Sequence, residues 1–421
     1  MTDSLAGRTI DAIWRIESAR LIAGLARMVR DVGLAEDLAQ DALVIALEKW
    51  PETGIPDNPG AWLMTTAKRR VIDLLRRNKL RDQKYEEMAR GSELYTEDEV
   101  DRAVDGEVGD DLLRLIFTSC HPVLSRDARV ALTLRLLGGL TTDEIARAFL
   151  VPESTVAQRI VRAKKTLSAE RVGFEAPSGE ALKGRLSAVL EVIYLMFNEG
   201  YSATSGGEWL RPTLCREALR LGRILAEIAP AESEVHGLVA LMELQSSRFR
   251  TRVGANGEPI LLMDQNRGLW DHLLIRRGLA ALERARALGG PLGPYALQAS
   301  ISACHAQATV AASTDWVRIA ALYEALSRVQ PSAIVELNRA VAIAMAFGPA
   351  FGLQLVEELA SEPALANYYL LPSVRGDLLV KLGRAAEARE QFELAAELTR
   401  NERERELLLK RAAECDLTEL K

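Results

Sequence analysis

No two of the four cysteines, at positions 120, 215, 304 and 415, form a C-x-x-C pair. That excludes the common zinc frameworks and leaves buried, reduced thiols as the expectation. Histidine is equally scarce. His121, His236, His272 and His305 stand apart from one another, and each is expected to be structural. The chain carries no nucleophile–base pairing, no phosphate loop and no metal-ligand cluster, so no enzyme and no cofactor is expected. No apolar run reaches membrane-spanning length. The segment MTDSLAGRTIDAIWRIESAR is too charged for a secretory signal. A cytoplasmic protein without a membrane partner is the expectation. Strand-like alternation is missing as well. Leu, Ala, Arg and Glu dominate, and apolar residues recur at helical spacing almost throughout, so the expected class is all-α.

A net charge of −6 argues at first against a nucleic-acid partner. The charge, however, is segregated. Residues 68–84 hold eight Lys/Arg against two Asp, and residues 153–171 hold five against two Glu. Between them, residues 86–111 hold eleven acids against two Arg. Binding responds to local potential and not to the sum over the chain.

The second basic stretch has a recognisable frame. TTDEIARAFLVPESTVAQRIVRAKKTL, residues 141–167, predicts a short helix over 142–149 and a second over 153–167, joined through Pro152. Thr141 and Glu144 fit a capping box. Ile145 and Ala148 are spaced for the inner face of the first helix, and Val156, Ile160 and Ala163 for that of the second. Thr155, Gln158, Arg159, Arg162, Lys164 and Lys165 supply a polar and basic outer surface. This pattern predicts a helix-turn-helix whose second helix suits a major groove. An ordinary helical hairpin with a solvated charged face is the bland alternative.

Upstream, residues 10–80 predict a helical unit with helices near 14–30, 34–50 and 59–78. Asp37, Asp41 and Glu48 share one helix face, with Gln40 beside it. The stretch PGAWLMTTAKRRVIDLLRR places Trp62 before Lys68, Arg69, Arg70, Arg76 and Arg77. An aromatic residue beside a dense basic helix suits a single strand that must be both stacked and neutralised. Trp62 taken alone reads better as a core residue beside a charged surface. Residues 81–110 read as an acidic linker, residues 111–172 as a second helical unit ending in the helix-turn-helix, and residues 173–180 as a hinge. Beyond it, residues 180–295 read as a helical extension and 296–415 as weak repeats of 34–35 residues. The clearest copy has Gly376, Leu379, Leu382, Gly383, Ala388, Phe392 and Ala395 at tetratricopeptide-like positions. Gly348 and Ala360 sit one period earlier, and Trp316, Tyr323 and Pro331 fit a still earlier copy.

Taken in this order, the pieces resemble an extracytoplasmic-function sigma factor of bacterial RNA polymerase. The segment with Asp37, Leu38, Gln40 and Asp41 resembles the family's D-L-x-Q-E helix, with Asp for Glu. Ala61, Trp62, Leu63, Ala67, Asp73, Arg76 and Arg77 match its A-W-L motif, while Thr66 and Lys68-Arg69 depart from the I-A-R-N core and leave minus-ten preference open. LTTDEIARAF and STVAQRIVRAKKTL match its region four. The resemblance implies an all-α fold with region two at 10–80 and region four at 111–172. It also implies that Asp37, Gln40 and Asp41 bind the polymerase clamp. Region two would hold the melted minus-ten strand through Trp62 and the basic side chains from Lys68 to Arg77. The helix from Thr155 to Lys165 would read the minus-thirty-five element. Core polymerase (clamp and flap) and promoter DNA are the implied partners.

The extension resembles a subgroup that carries tetratricopeptide-like repeats, in which YLMFNEGY at 194–201 and LCREALRLGRIL at 214–225 recur. It offers room for a further ligand or protein partner. In YLMFNEGY, Asn198, Glu199 and Tyr201 are readable as an interface or ligand cap, or Asn198 and Gly200 as a plain helix terminus. A helix-turn-helix regulator with a tetratricopeptide sensor is the competing reading, but it leaves residues 35–77 unexplained.

Overall fold

In the computed structural model, residues 2–86, 108–149, 151–177, 179–202, 209–254 and 257–419 are described. Helices carry nearly all of them. An isolated bridge pairs Val253 with Pro259. None of the described helices is long and apolar enough to cross a membrane. The acidic linker lies largely outside the described residues. The chain divides into two compact units, Met1–Ile193 and Tyr194–Lys421.

The first unit opens with α1 (Thr2–Val29), α2 (Val32–Thr53) and α3 (Pro59–Glu86). Asp31 caps α2 by accepting a hydrogen bond from the Leu34 amide at 2.9 Å. Proline at the first position of α3 loses no helical hydrogen bond there, and Asn58 accepts from the Ala61 amide at 3.0 Å. Leu21, Ile22, Leu25, Leu38, Leu63 and Val71 are buried and form the shared core of these helices. The small residues Ala35, Ala39, Ala42 and Ala46 make one face of α2 nearly flat and let its neighbours approach. Next come α4 (Val108–Ser119), which packs on α1, then α5 (Arg126–Leu136), α6 (Thr142–Phe149) and α7 (Glu153–Ala169). Ser125 caps α5. Leu132, Leu134, Leu136, Leu137 and Leu140 are all buried, which ties α5 and the loop after it to α6 and α7.

The dividing line between the units falls inside α8 (Gly179–Tyr201). The second unit continues through α9 (Pro212–Ile228), α10 (Ser233–Ser246), α11 (His272–Ala287), α12 (Pro294–Gln307), α13 (Trp316–Val329), α14 (Ala333–Phe347), α15 (Pro349–Leu359), α16 (Leu370–Lys381), α17 (Ala385–Leu398) and α18 (Glu402–Glu419). From α9 onward each helix packs on the one that follows it. Gly348 (φ +116°) joins α14 to α15, and Gly383 (φ +75°) turns α16 into α17; both backbones are left-handed, where a Cβ is strained. The 35-residue spacing of these two turns is the repeat period read from the sequence. Ala388, Phe392 and Ala395 are buried in the α17 face against α16 and α18.

One expectation is corrected here. Gly200 does not terminate its helix, and Asn198 lies three residues before the end of α8. A Cβ on Gly200 would meet the Cys215 sulfur at 2.7 Å and its amide nitrogen at 2.8 Å. The glycine is there because α9 crosses too close for any side chain. None of the four cysteines is in a disulfide, and all four are buried.

Candidate nucleic-acid and polymerase interface

The helix-turn-helix is built by short-range chemistry. The Thr141 hydroxyl accepts from the Glu144 amide at 3.1 Å, and the Glu144 carboxylate accepts from the Thr141 amide at 2.9 Å. This reciprocal pair is the capping box, and it starts α6 where the sequence places it. Ile145, Val156, Ile160 and Ala163 are buried against one another and against α5. The Ala148 side chain lies outside the described residues. Burying these positions turns the opposite face of α7 outward. Gln158, Arg162 and Lys165, spaced i, i+4, i+7, are exposed on one stripe. Thr155 and Arg159 flank it, half-buried, and Arg159 is ion-paired with Asp127 at 2.7 Å.

Lys164 does not join that stripe. Its ammonium lies 2.6 Å from Glu36 and 3.4 Å from Asp37, both on α2. Glu36 is the residue that sequence reasoning missed. It is 3% exposed, also receives the Arg135 guanidinium at 2.6 Å and the Gln40 amide at 2.5 Å, and so joins α2, α5 and α7. The signal was present: Glu36 lies beside Ala35 and Leu38 on the face of α2 that is otherwise apolar. Its partners are 99 and 128 positions away, and spacing carries no information about them. Arg15 pairs with Glu144, and Arg27 with the buried Asp111 at 3.3 Å, adding two further ties between α1 and the later helices.

On α2, Asp37 and Asp41 are exposed and Gln40 is half-buried. On α3, Trp62 meets the buried Trp50 edge to face, with centroids 5.2 Å apart, while keeping part of its ring accessible. Trp62 is thus packed against Trp50 on one side and partly exposed. Lys68 is half-buried, and Arg69 and Arg70, the next two residues, are exposed. The side chains of Arg76 and Arg77 lie outside the described residues, although their backbone continues α3.

Elsewhere the titratable groups serve packing. Burial, with help from Arg248 and Arg267, lowers the His305 pKa to about 3, so its ring is neutral against Trp316. Arg252 is sandwiched between the rings of Tyr201 and Trp209 and donates to the Tyr201 carbonyl. Arg211 pairs with Glu199. Glu199 and Tyr201 of the YLMFNEGY segment are thus used inside the second unit.

Comparison with known proteins places these surfaces in a family. The Sigma-70 region 2 model matches residues 16–81, and the Sigma-70 region 4 model matches 114–167. A third model, a family of unknown function (DUF6596), matches 185–286. An uncharacterized protein of Rhizobium meliloti strain 1021 is 44% identical over 386 residues, which is 90% of this chain and 89% of that relative. The ECF RNA polymerase sigma factor SigK of Mycobacterium ulcerans is 30% identical over 146 residues, 34% of this chain and 74% of the relative. The probable ECF RNA polymerase sigma factor SigI of Mycobacterium tuberculosis is 28% identical over 167 residues, and the match spans 56% of its length. The chain belongs to the extracytoplasmic-function sigma factors, alternative sigma factors that bind core RNA polymerase and direct it to promoter DNA.

Proposed function

We propose that α2 is the surface taken by the polymerase clamp and α7 the helix that reads the minus-thirty-five element. The observation that carries this reading is the orientation of α7. Its apolar face is locked to α5 and α6, and Gln158, Arg162 and Lys165 are left exposed in a row. Gln158 and Arg159, early on the helix, suit base edges, and Arg162 and Lys165 suit phosphates. Trp62 with Lys68, Arg69, Arg70, Arg76 and Arg77 would hold the melted minus-ten strand, stacking and neutralising it.

The two promoter elements lie roughly 25 base pairs apart, about 85 Å at 3.4 Å per base pair. With region four ion-paired directly to region two through Glu36, the two regions cannot span both elements at once. We infer that loading onto polymerase separates them and that the Glu36 cluster is a latch on the free protein. Asp37 supports this: the same carboxylate proposed for the clamp here faces Lys164. The extension is proposed to modulate this activity.

Run-off transcription with core polymerase and the full-length protein tests the reading. Promoter-dependent transcripts are expected, and they should be lost when Asp37 and Asp41 are both changed to Lys. Retained capture of core polymerase by that double variant would overturn the assignment of α2.

A further inference from the structure

The first unit contains a cavity of about 770 Å³, at the seam of α1, α4 and α7, that the reading above does not use. Its walls carry five cationic side chains. Arg27 lies in the last turn of α1 and Arg30 just beyond it, Arg114 on α4, Lys164 on α7, and Arg171 in the loop that follows. Two acids line it, Asp31 and Glu175. Asp31 is engaged as the cap of α2, and Glu175 is exposed. Lys164 and Ser168, one turn apart on α7, border the cavity. It therefore lies on a different side of that helix from the stripe of Gln158, Arg162 and Lys165.

Three of the cations are set in place from behind. Asp111 pairs with Arg27 at 3.3 Å and with Arg114 at 3.1 Å. Lys164 leans on Glu36 and Asp37. These carboxylates fix the cations and offset part of their charge. The exposed Arg171 has no ion-pair partner among the described residues. Positive side chains gathered around one cleft focus its potential on an anion.

The backbone singles out two of the five. Arg30 (φ +54°) and Arg171 (φ +50°) are the two residues other than glycine with a left-handed backbone among the described residues, and both line this cavity. Each follows the C-terminus of a helix, where glycine is the favoured residue. The helix dipole favours a cation near such an end, but a Lys or Arg within the last turn meets that need without strain. What the strained positions add is a guanidinium at the cavity wall. Guanidinium forks match phosphate oxygens two at a time. Phe174, half-buried, offers a ring in the same lining. The volume falls within the range of about 300–1,000 Å³ usual for small-molecule sites, enough for a ring as well as phosphates.

We propose that this cavity binds a nucleoside di- or triphosphate, with its phosphates held by Arg30, Arg114, Lys164 and Arg171 and its base laid on Phe174. Since the walls come from α1 and α7, an occupant would also hold region four on region two. That consequence rests on the latch reading, and the binding itself does not.

Isothermal titration calorimetry on the full-length protein at fixed ionic strength tests this with ATP, GTP, tripolyphosphate, adenosine and citrate. ATP or GTP is expected to bind saturably at one site, tripolyphosphate more weakly, and adenosine and citrate not measurably. Arg171→Gly should weaken the nucleotide about tenfold, the loss of one charge-assisted hydrogen bond. Glycine takes the left-handed backbone freely, so the fold should be kept. Phe174→Leu should weaken the nucleotide and leave tripolyphosphate unchanged. If Arg171→Gly does not fold, Arg30→Gly is read in the same way. The proposal is overturned if neither nucleotide saturates, if tripolyphosphate, adenosine or citrate binds as tightly as the nucleotides, or if the folded arginine variant binds as wild type does. Loss of binding in Arg162→Ala instead would place the nucleotide on the outward stripe and overturn it too. No polymerase or DNA is present in these titrations, so a negative result leaves the promoter-binding reading standing.

Discussion

Glu36 is the position at which the packing of region four on region two is most exposed to test. A double-mutant cycle with Glu36→Gln and Lys164→Met isolates their coupling. At 2.6 Å and an effective dielectric of about 20, the bare attraction is roughly 6 kcal/mol. Withdrawing Glu36 from water to 3% exposure offsets most of that. Lys164 keeps 20% of its side chain accessible, which screens the pair further. A coupling of about 2 kcal/mol remains, inside the roughly 0.5–3 kcal/mol range for residues in contact. Glu36→Gln alone should cost more than Lys164→Met alone, because it strands the Arg135 guanidinium as well. Native-state hydrogen exchange is the suitable assay, since it reads the opening free energy of α2 and α7 amides separately from the second unit. Each single variant should lower the protection of α7. The double variant should lower it by less than the sum of the two. A cycle that closes to within about 0.5 kcal/mol would refute the ion pair and, with it, the latch.

Further outcomes follow from individual side chains. Arg162→Ala should weaken binding to all DNA sequences alike and flatten the salt dependence by about one unit of slope, measured by fluorescence anisotropy at several salt concentrations. Gln158→Ala should instead relax preference at one base position, at a cost of roughly 1–3 kcal/mol for the cognate site, read from a panel of single-base promoter variants. His305 has its folded pKa lowered from 6.5 to about 3, so below pH 6.5 the unfolded chain binds a proton that the folded one does not. Stability of the second unit should therefore be full above about pH 6.5 and fall with pH down to about 3, by about 2 kcal/mol at pH 5. His305→Phe should remove that slope in urea titrations at pH 5 and 7. A chain cut after residue 172 loses Arg185, which donates to the Phe117 carbonyl at 2.6 Å, and Glu191, which pairs with Arg126. It should melt lower in unit one than a chain cut after 193, which retains both.

The local grammar of this protein is legible in its residues. The boundaries of α6 follow from Thr141 and Glu144, because a capping box needs only residues three apart. The burial of Val156, Ile160 and Ala163 follows from a period of 3.6 residues, and the outward stripe of Gln158, Arg162 and Lys165 is its complement. The turns at Gly348 and Gly383 follow from the conformations that only glycine adopts at low cost. Tertiary structure decided what periodicity cannot express. Whether Lys164 belongs to the outward basic stripe or to a seam with α2 depends on a carboxylate 128 positions away. Whether Gly200 ends a helix or admits another depends on where α9 crosses. Helical spacing specifies which side of an element is apolar, but not which distant element covers it. That choice is made by steric fit and by the pairing of charges such as Glu36 that only the folded chain brings together.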